Sequence, residues 1–498
     1  MQFRFLAIVI FMFVPVFVVF SQTTDTLHLS IEEVIERLKA DNLHIKASEY
    51  QVSRYENNRR AQKGLYMPSV DINATYSMMS EPLELDLTPV RDAILPAYEL
   101  IGGQSDLISN LTGYMASAGT MDAATYQSFA DGLDQIEGGR EQAMAAINDG
   151  EWVKTIQEKQ FAVVDASITW PIYTGGKIRA ANKAAEAQLE ESKVDNEKVI
   201  AQEITDVVQR YFGLRLAINV AVVRQRVLEG MQMHVNDAQK LEENGMLAHA
   251  ERLHAEVSLV EAQRELKKAT NMVELMQTAV QNSLTISQPV FPTTDLFISA
   301  TSDDLQTFVA HAQTMNPAIR KLAAKEKLAE QGLKKEQAAW YPTIFAFGQT
   351  DIVNYQLSEY MPEWMVGVGM KINLFDGLQK VRKTQAARMQ QMEIEMWQDK
   401  AKLDLATGVT KIFQQMHQAA DNYESAQASL KFADEYLRIR QKAFAEGFAT
   451  STDVVDAQLH LAKIETEALK AQFDYDVALA KLLELSFKSS EIVDYASK

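Results

Sequence analysis

The chain of 498 residues contains no cysteine at all. Without cysteine there are no disulfide bonds, no thiolate ligands for a metal and no cysteine nucleophile. The lipid-bearing cysteine of a bacterial lipoprotein is excluded for the same reason.

Basic residues are also in short supply. The chain carries 49 Lys and Arg against 67 Asp and Glu, which gives a formal net charge of −18 at pH 7. Nucleic-acid-binding surfaces need clustered Lys and Arg, so this balance argues against a nucleic-acid partner. A charged cargo or a charged partner surface is expected to be cationic instead.

Motifs for catalysis and metal binding are absent from the sequence. There is no HExxH, no Walker loop, no GxSxG and no EF-hand pattern. His249 and His254 are five residues apart, a spacing that does not place both side chains on one helix face. We therefore predict that the chain is not an enzyme and that it uses no cofactor and no metal.

Only the N-terminus has a long apolar run. Arg4 precedes an apolar stretch from Phe5 to Phe20, which Pro15 interrupts and which small or polar residues follow. This pattern predicts a cleaved secretory signal peptide over residues 1–22, with an uncleaved membrane anchor as the alternative. No other stretch is apolar enough for a spanning helix, so any other insertion into a membrane has to use strands.

Proline is rare and unevenly distributed. None of the 11 prolines lies between Pro171 and Pro289 or after Pro362. Ala, Glu, Gln, Lys and Leu dominate both proline-free stretches, which predicts long helices over 178–243 and 381–446. Each would be roughly 100 Å long at about 1.5 Å per residue, so each needs neighbouring helices along its whole length.

Four short segments alternate apolar with small or polar residues. They predict strands over 68–78, 162–173, 343–352 and 364–375, although Phe345 and Phe347 fall in the polar register of the third. Strands of a membrane barrel and half-buried strands of a soluble sheet share this pattern. The export signal and the lack of another segment that could insert favour the barrel.

These segments belong to an internal duplication. The helix-to-strand junctions "LYMPSV" at 65 and "AWYPTI" at 339 share one offset of 274 residues with Asn42 and Asn316. Further along the chain the offset becomes 202, and it relates "WPIYTGGKIR" at 170 to "INLFDGLQKVR" at 372, and Gly245 to Gly447. Landmarks that recur in the same order indicate two copies of a single unit. The change of offset places roughly seventy extra residues in the first copy.

Each copy is predicted to run helix, strand, loop, strand, long helix, Gly turn and returning helix. The first repeat spans 23–283, with helices 31–66, 178–243 and 247–283; an equatorial linker spans 284–303; and the second repeat spans 304–498, with helices 304–341, 381–446 and 450–486. The extra residues, at about 81–160, are predicted to form a partly helical excursion outside the cell, because barrels place their long loops there.

Over nearly all of its length after the signal segment, the chain resembles the TolC family of outer-membrane efflux proteins. The resemblance is carried by "LSIEEVIERLKADN", by "YMPSV" and "WYPTI", by "PIYTGGKIR" and "NLFDGLQKVR", and by "FAEGFATSTDVVDAQ" from Phe444 onward. Their order and duplication are what is characteristic. The resemblance implies a homotrimer in which each protomer gives four strands to a shared barrel and long helices to a periplasmic tunnel.

The predicted fold class is therefore mainly α with a β-barrel part, internally duplicated, with four transmembrane strands per chain. Four strands cannot close a barrel, because barrels start near eight strands and open edges are not tolerated in lipid. Three copies would supply twelve strands. A monomeric channel is excluded if these strands lie in the membrane.

Two aspartates near the second Gly turn are candidate gate residues. Asp453 and Asp456 are three residues apart and share a helix face, so a trimer would place six carboxylates around one opening, which favours cations. The resemblance implies that they form the periplasmic constriction together with Glu251, the matching position of the first repeat. The alternatives are that Thr450 and Asp453 form a capping box and that Asp456 lies on a solvated helix face.

The family's closing latch is only partly kept. The resemblance implies an Arg, a Tyr and an Asp where this chain has Ala449, Phe444 and Glu251. The sequence therefore does not predict whether the resting channel is closed. Gly245 and Gly447 are interpreted as backbone devices that let each long helix reverse at the tip. In related systems a periplasmic adaptor docks at such turns.

Two functions remain after these steps. The first is a trimeric outer-membrane channel of a tripartite efflux or type I secretion system, which passively conducts substrates from a periplasmic adaptor and an inner-membrane transporter to the outside. Its partners are two further copies of the chain, that adaptor, that transporter and outer-membrane lipid, in a bacterium of the Gram-negative type. The alternative is an exported coiled-coil scaffold or adhesin without channel activity.

Overall fold

The structure is a computed structural model that describes residues 26–299 and 304–497. The predicted signal peptide, and the end of the predicted linker at 300–303, lie outside the described residues. Within the described part the chain is mainly helical and also contains strands, which confirms that part of the predicted fold class. The chain divides into two compact units. The helical unit comprises the described parts of Met1–Gln62, Arg179–Gln337 and Gly377–Lys498, and the strand unit comprises Lys63–Ile178 and Ala338–Asp376.

Eleven α-helices are present in the described part of the chain: α1 Ile31–Asp41, α2 Leu43–Lys63, α3 Thr88–Ser117, α4 Ala123–Asp149, α5 Lys177–Glu243, α6 His249–Leu284, α7 Leu305–Met315, α8 Pro317–Ala338, α9 Gln379–Ala445, α10 Ser451–Leu485 and α11 Ile492–Ala496. The same residues contain eight strands: β1 Leu27–Leu29, β2 Ser69–Met78, β3 Leu83–Asp86, β4 Val153–Gln157, β5 Gln160–Tyr173, β6 Val290–Pro292, β7 Thr343–Tyr355 and β8 Trp364–Lys371. None of the described helices is both long enough and apolar enough to cross a membrane.

The helical unit has its largest hydrophobic core at the ends of the return helices. Tyr211 and Phe212 of α5, Leu482 and Leu483 of α10, and Phe308 of α7 are fully buried there. The short strands β1 and β6 pair in parallel beside this core. The hydroxyl of Tyr211 donates to the carbonyl of Leu29 at 2.8 Å, so the middle of the long helix is fixed to this small sheet.

The first helix of each predicted repeat is interrupted, which corrects the prediction of single helices over 31–66 and 304–341. The first breaks at Asn42 and ends at Lys63, and the second breaks at Asn316 and ends at Ala338. Both asparagines leave the helical conformation and use the side-chain oxygen to accept a backbone N–H two residues on, at 2.8 Å in each case. This local hydrogen bond satisfies a backbone N–H without a helical conformation, so the helix breaks at Asn.

Each asparagine also binds the end of the return helix of its own predicted repeat. The amide of Asn42 donates to the carbonyl of Ser283 at the end of α6, at 3.1 Å, and the amide of Asn316 donates to the carbonyl of Leu485 at the end of α10, at 2.7 Å. We call these two contacts the asparagine joints. Asn42 and Asn316 are one predicted repeat offset apart, and so are Ser283 and Leu485. Matching positions of the two predicted repeats therefore make the same hydrogen bond.

The strand unit contains a four-stranded antiparallel sheet in the order β2, β5, β7, β8. Two predicted strand ends are wrong. The strand predicted over 343–352 continues to Tyr355, past a register shift of its partner between Val164 and Asp165. The strand predicted over 364–375 ends at Lys371, which pairs with Thr343 at the start of β7, and the preceding Pro342 has no N–H to continue the ladder.

The insertion predicted at about 81–160 is largely a helical hairpin. Strands β3 and β4 form a short antiparallel ribbon, and the packed helices α3 and α4 continue from it. The N–H of Leu87 donates to the carbonyl of Trp152 at 2.6 Å and closes the base of the hairpin. Asp122 caps α4 by accepting from the N–H of Thr125 at 2.9 Å.

Candidate functional site

Each of the two Gly turns is built in the same way. Gly245 and Gly447 have φ angles of 71° and 78°, a conformation that costs a residue with a Cβ. The N–H of Gly245 donates to the carbonyl of Glu242 and that of Met246 to Leu241, both at 2.8 Å. The second turn repeats this pattern at 2.9 and 2.8 Å. This is a Schellman motif, which ends a helix and satisfies its last carbonyls.

The carboxylate of Asp453 is engaged by its own helix. Thr450 and Asp453 form a capping box at the start of α10, in which Asp453 accepts from the N–H of Thr450 at 2.8 Å and Thr450 accepts from the N–H of Asp453 at 3.2 Å. These hydrogen bonds lower the pKa of Asp453, and Arg440 adds a smaller effect. The guanidinium of Arg440 lies 3.8 Å from the Asp453 carboxylate and over the ring of Tyr436.

Glu251 meets Asp453 at the same helix terminus. Its carboxylate accepts from the N–H of Ser451 at 3.0 Å, so a side chain of α6 caps α10. Ala248, which stands where Thr450 stands in the second repeat, has no side-chain oxygen for a capping box within α6. Glu251 is therefore available to the neighbouring helix. Two carboxylates at a helix N-terminus also interact favourably with its dipole.

A buried histidine completes this helix terminus. The ring nitrogen Nε2 of His234 lies 2.7 Å from the hydroxyl of Ser451, and the ring packs on Phe444 with centroids 4.6 Å apart. His234 is 6% exposed and Ser451 is fully buried. Burial lowers the pKa of His234, a shift that the nearby His254 reinforces and that Asp237 and Glu251 oppose. We call His234, Glu251, Ser451 and Asp453 the tip cluster.

Asp456 has a different environment from Asp453. It is exposed, and among the described residues no hydrogen bond or ion pair is found for its carboxylate. It borders a groove between α5, α6 and α10 that Arg224, His254 and Glu261 also line. Nowhere in 26–299 or 304–497 do three or more His, Asp or Glu side chains gather in a way that could hold a metal ion.

The sheet of the strand unit has one apolar and one polar face. The apolar residues of its two outer strands are between 65% and 71% exposed: Val70, Ile72, Tyr76 and Met78 on β2, and Trp364, Val366, Val368 and Met370 on β8. The opposite face carries Asp71, Asn73 and Asp165, with the Asn73 amide donating to Asp165 at 3.1 Å. An exposed row of large apolar side chains requires an apolar environment that the described chain does not supply.

Phe345 and Phe347 lie on the polar face, as their register in the sequence predicts. Their rings occupy the space above Gly369 and Gly367 of β8, where an added Cβ would lie 2.6 Å and 2.8 Å from the ring atoms. The two glycines thus explain why aromatic residues fit on this face. The rings are partly buried against the neighbouring strand and leave the apolar face unchanged.

The sequence profile of the outer membrane efflux proteins matches residues 150–285 and 309–486, more than half of the chain. The chain belongs to this family. The match covers α5, α6, α9 and α10, so both Gly turns and the tip cluster lie within it. The resemblance inferred from the sequence is therefore confirmed. Members of this family are channel proteins, which supports the prediction that the chain is not an enzyme.

Relatives of known structure share the fold along nearly the whole chain. The CmeC outer membrane channel of Campylobacter jejuni aligns with a TM-score of 0.68 and 13% identity, over 94% of this chain and 89% of CmeC. MtrE of Neisseria gonorrhoeae, an outer membrane channel solved in an open state, aligns with a TM-score of 0.66 and 15% identity, over 92% and 89% of the two chains. At such identities the likeness shows the fold alone.

One curated relative is similar in sequence. Protein CyaE of Bordetella pertussis is 22% identical over 278 residues, which is 53% of this chain and 57% of CyaE. The chain thus spans little more than half the length of the curated relative that it matches.

The structure brings together two of the three predicted gate residues of this outer membrane efflux protein. Glu251 and Asp453 meet at the start of α10, whereas Asp456 lies one helical turn further along. Gly245 and Gly447 end the two long helices. His234 and Arg440 were not predicted from the sequence, since neither belongs to a motif, and the partner of His234, Ser451, is distant in sequence. The contact of Glu251 with α10 was not predicted either. The absence of a side-chain oxygen at Ala248, where the second repeat has Thr450, was the one available signal for this contact.

Proposed function

We propose that the chain is a trimeric outer-membrane channel of a tripartite efflux or type I secretion system. It passively conducts substrates from a periplasmic adaptor and an inner-membrane transporter to the outside of a Gram-negative-type cell. The four-stranded sheet carries this proposal. Its large apolar side chains lie exposed on one face and its polar side chains lie on the other, which is the alternation that a membrane barrel around a wet lumen needs.

The edges of this sheet support the proposed trimer. In the described part of the chain β2 and β8 each pair on one side only. Unpaired strand edges are not tolerated in lipid, so further copies have to pair with them. Barrels close from about eight strands upward, and three copies of this sheet supply twelve.

The long helices fit a periplasmic extension. Helices α5 and α9 have 67 residues each, so each is roughly 100 Å long at about 1.5 Å per residue. Helices α6 and α10 return from the Gly turns, and α10 packs along α9. We propose that the turns at Gly245 and Gly447 form the periplasmic tip where an adaptor docks. Met246 and Phe448, which follow these glycines, are 63% and 83% exposed and would take part in that contact.

The gate is proposed at the tip cluster and at Asp456. Around a threefold axis Asp453, Asp456 and Glu251 would contribute rings of carboxylates, which attract cations. Because Asp453 and Glu251 already bind backbone N–H groups of α10, their negative charge is partly compensated. Asp456 is the exposed member of the set and would contribute most of the field in the opening.

Reconstitution tests the channel directly. Protein extracted from outer membranes with detergent should have the mass of three chains by light scattering and should conduct ions in planar bilayers. It should also stay in the membrane fraction through salt washing. A protein that washes free, is a single subunit and conducts nothing would be the exported scaffold or adhesin instead. No observation in the structure favours that alternative.

A further inference from the structure

The helical hairpin of α3 and α4 exposes most of the large apolar residues of α3. Where α3 packs on α4, its fully buried positions are small or polar: Gly102, Ser105 and Thr112. Three large apolar side chains of α3 are half-buried. Eight others are exposed, from 36% to 72%: Val90, Ile94, Leu100, Ile101, Leu107, Ile108, Leu111 and Tyr114. At about 100° per residue these eight positions fall on one side of the helix. We call them the outer stripe.

The contact between the two helices is a weak source of stability. Arg140 of α4 lies against Gly102, where an added Cβ would be 3.0 Å from its guanidinium carbon, and it forms an ion pair with Glu137 of the same helix. A contact made of small residues and a partly exposed ion pair buries little apolar surface. The better packing surface of α3 is thus the one that has no partner in the described part of the chain.

A lipid surface does not suit the outer stripe. Residues 88–149 contain nine Asp and Glu but only two basic residues, Arg91 and Arg140. Amphipathic helices that lie on membranes place Lys and Arg on the polar face, because membrane surfaces carry negative charge. The hairpin has the opposite balance, so charge repulsion would oppose its binding to anionic lipid.

The position of the hairpin indicates a second copy of the chain as the occupant. The ribbon of β3 and β4 holds the hairpin beside the loop after β7: the Gln157 amide donates to the carbonyl of Gln356 at 2.7 Å, and Gln157 accepts from the N–H of Ser358 at 2.8 Å. The ammonium of Lys154 lies 5.5 Å from the ring centre of Tyr360. The hairpin base is therefore fixed to the end of the sheet. The edge strands of this sheet, β2 and β8, are the ones proposed to pair with other copies of the chain.

We propose that the outer stripe of α3 packs against the outer stripes of neighbouring copies, so that the hairpins of one assembly form a single helical cluster at the end of the barrel. This inference rests on the proposed trimer, which brings three hairpin bases to one rim. The stripes then leave water while the acidic faces stay hydrated.

Because the chain has no cysteine, a single introduced thiol reports on this contact without interference. The test uses Leu107→Cys on the outer stripe and Asp106→Cys on the adjacent polar face as its matched control, both in the full-length protein. A short bismaleimide should link Leu107→Cys into covalent dimers and never into trimers, since each subunit has one thiol. Asp106→Cys should stay unlinked. Adding Leu100→Gln and Leu111→Gln to Leu107→Cys should abolish the dimers while light scattering still reports three chains.

Each other outcome contradicts the proposal in a recognisable way. If the protein is trimeric but the two thiols react alike, the hairpins do not pack through the stripe and only the docking proposal fails. If a bimane label at Leu107→Cys is quenched by nitroxide lipids in liposomes more strongly than one at Asp106→Cys, lipid covers the stripe instead. If the protein is a single subunit by light scattering, the proposed channel fails together with the docking.

Discussion

Glu251 and Asp453 occupy matching positions of the two predicted repeats, yet both stabilise the same helix. Asp453 binds the N–H of its own N-cap residue Thr450, and Glu251 binds the N–H of Ser451 from across the turn. The difference arises from the N-cap residues, since Ala248 offers no oxygen whereas Thr450 does. A single alanine thus converts an ordinary capping carboxylate into a contact between helices.

Removing the caps should loosen the start of α10. Thr450→Ala should destabilise this helix terminus by about 1 kcal/mol, because the N–H of Asp453 loses its acceptor. Glu251→Gln should add to the effect, because a neutral amide binds the N–H of Ser451 more weakly than a carboxylate does. Amide hydrogen exchange of residues 451–455 measures the change. Thr466→Ala, in the middle of α10, is the control and should leave exchange at 451–455 as it is; equal effects of the two Thr substitutions would contradict the capping role.

His234 makes the same terminus sensitive to acid. Its pKa is lowered in the folded protein, so the unfolded chain, with a pKa of about 6.5, takes up the proton first. The stability that depends on the neutral ring is complete above about pH 6.5 and is lost as the pH falls below that value. Exchange of the amides at 451–455 should therefore accelerate between neutral pH and pH 5, after correction for the intrinsic pH dependence of exchange.

A non-titrating side chain should remove this acid sensitivity. His234→Gln keeps a hydrogen-bonding group near Ser451 but has no proton to gain, so the corrected exchange rate should become independent of pH in this range. His460→Gln, an exposed position of α10, controls for the loss of a histidine and should behave like the natural sequence. An unchanged acid response in His234→Gln would show that another group is responsible.

At the scale of the elements, the Gly turns depend on backbone conformation. Gly245→Ala and Gly447→Ala should each cost about 1–2 kcal/mol, because both positions have φ near 75° and a Cβ is strained there. Open space around both glycines means that the cost comes from the backbone alone. Gly332→Ala in α8 is the control, since Gly332 lies within a helix with open space around it and Ala should stabilise it by up to about 1 kcal/mol. Denaturant unfolding should show a lower free energy of unfolding for Gly245→Ala and Gly447→Ala and an equal or higher one for Gly332→Ala. An unchanged free energy of unfolding in Gly447→Ala would contradict the Schellman geometry.

Helices and strands were easier to predict from the sequence than the residues at which they break or end. The positions of α5, α6, α9 and α10 follow from two proline-free stretches, in each of which a Gly separates a long helix from its return helix. Propensity and capping act locally, so both can be read from the sequence. The breaks at Asn42 and Asn316 were missed, since each depends on one side chain choosing its own backbone over the helix. The end of β8 was missed because it depends on Pro342, which directly precedes the neighbouring strand β7.

The candidate site shows the same limit. Its glycines and the Thr450 capping box could be read from neighbouring residues. His234 with Ser451, and Glu251 with Ser451, are pairs about two hundred residues apart, and only the packing of α5, α6 and α10 brings them together. Local sequence does not show which distant residues meet, and the missing capping oxygen at Ala248 indicates only that Glu251 is free to bind elsewhere.

At the scale of the whole molecule, the net charge of −18 should decide which ions the proposed channel prefers. An acidic lumen concentrates cations, so reversal potentials under a salt gradient should report cation selectivity. Asp456→Asn should weaken the selectivity, because this exposed carboxylate lies at the proposed gate. Asp421→Asn removes the same charge from an exposed position of α9 and should change it less. Anion preference, or equal effects of the two variants, would contradict a gate at Asp456.

The asparagine joints have a mechanical consequence. Ser283 and Leu485 lie at the far ends of α6 and α10, and each is held by an amide from the helix at the start of its own repeat. A lengthwise shift of α6 or α10 would break the hydrogen bond of its asparagine joint, at a cost of about 1 kcal/mol. If the Gly turns move apart, we therefore expect the helices to bend sideways, with a displacement that grows with distance from the joints and is greatest at Gly245 and Gly447.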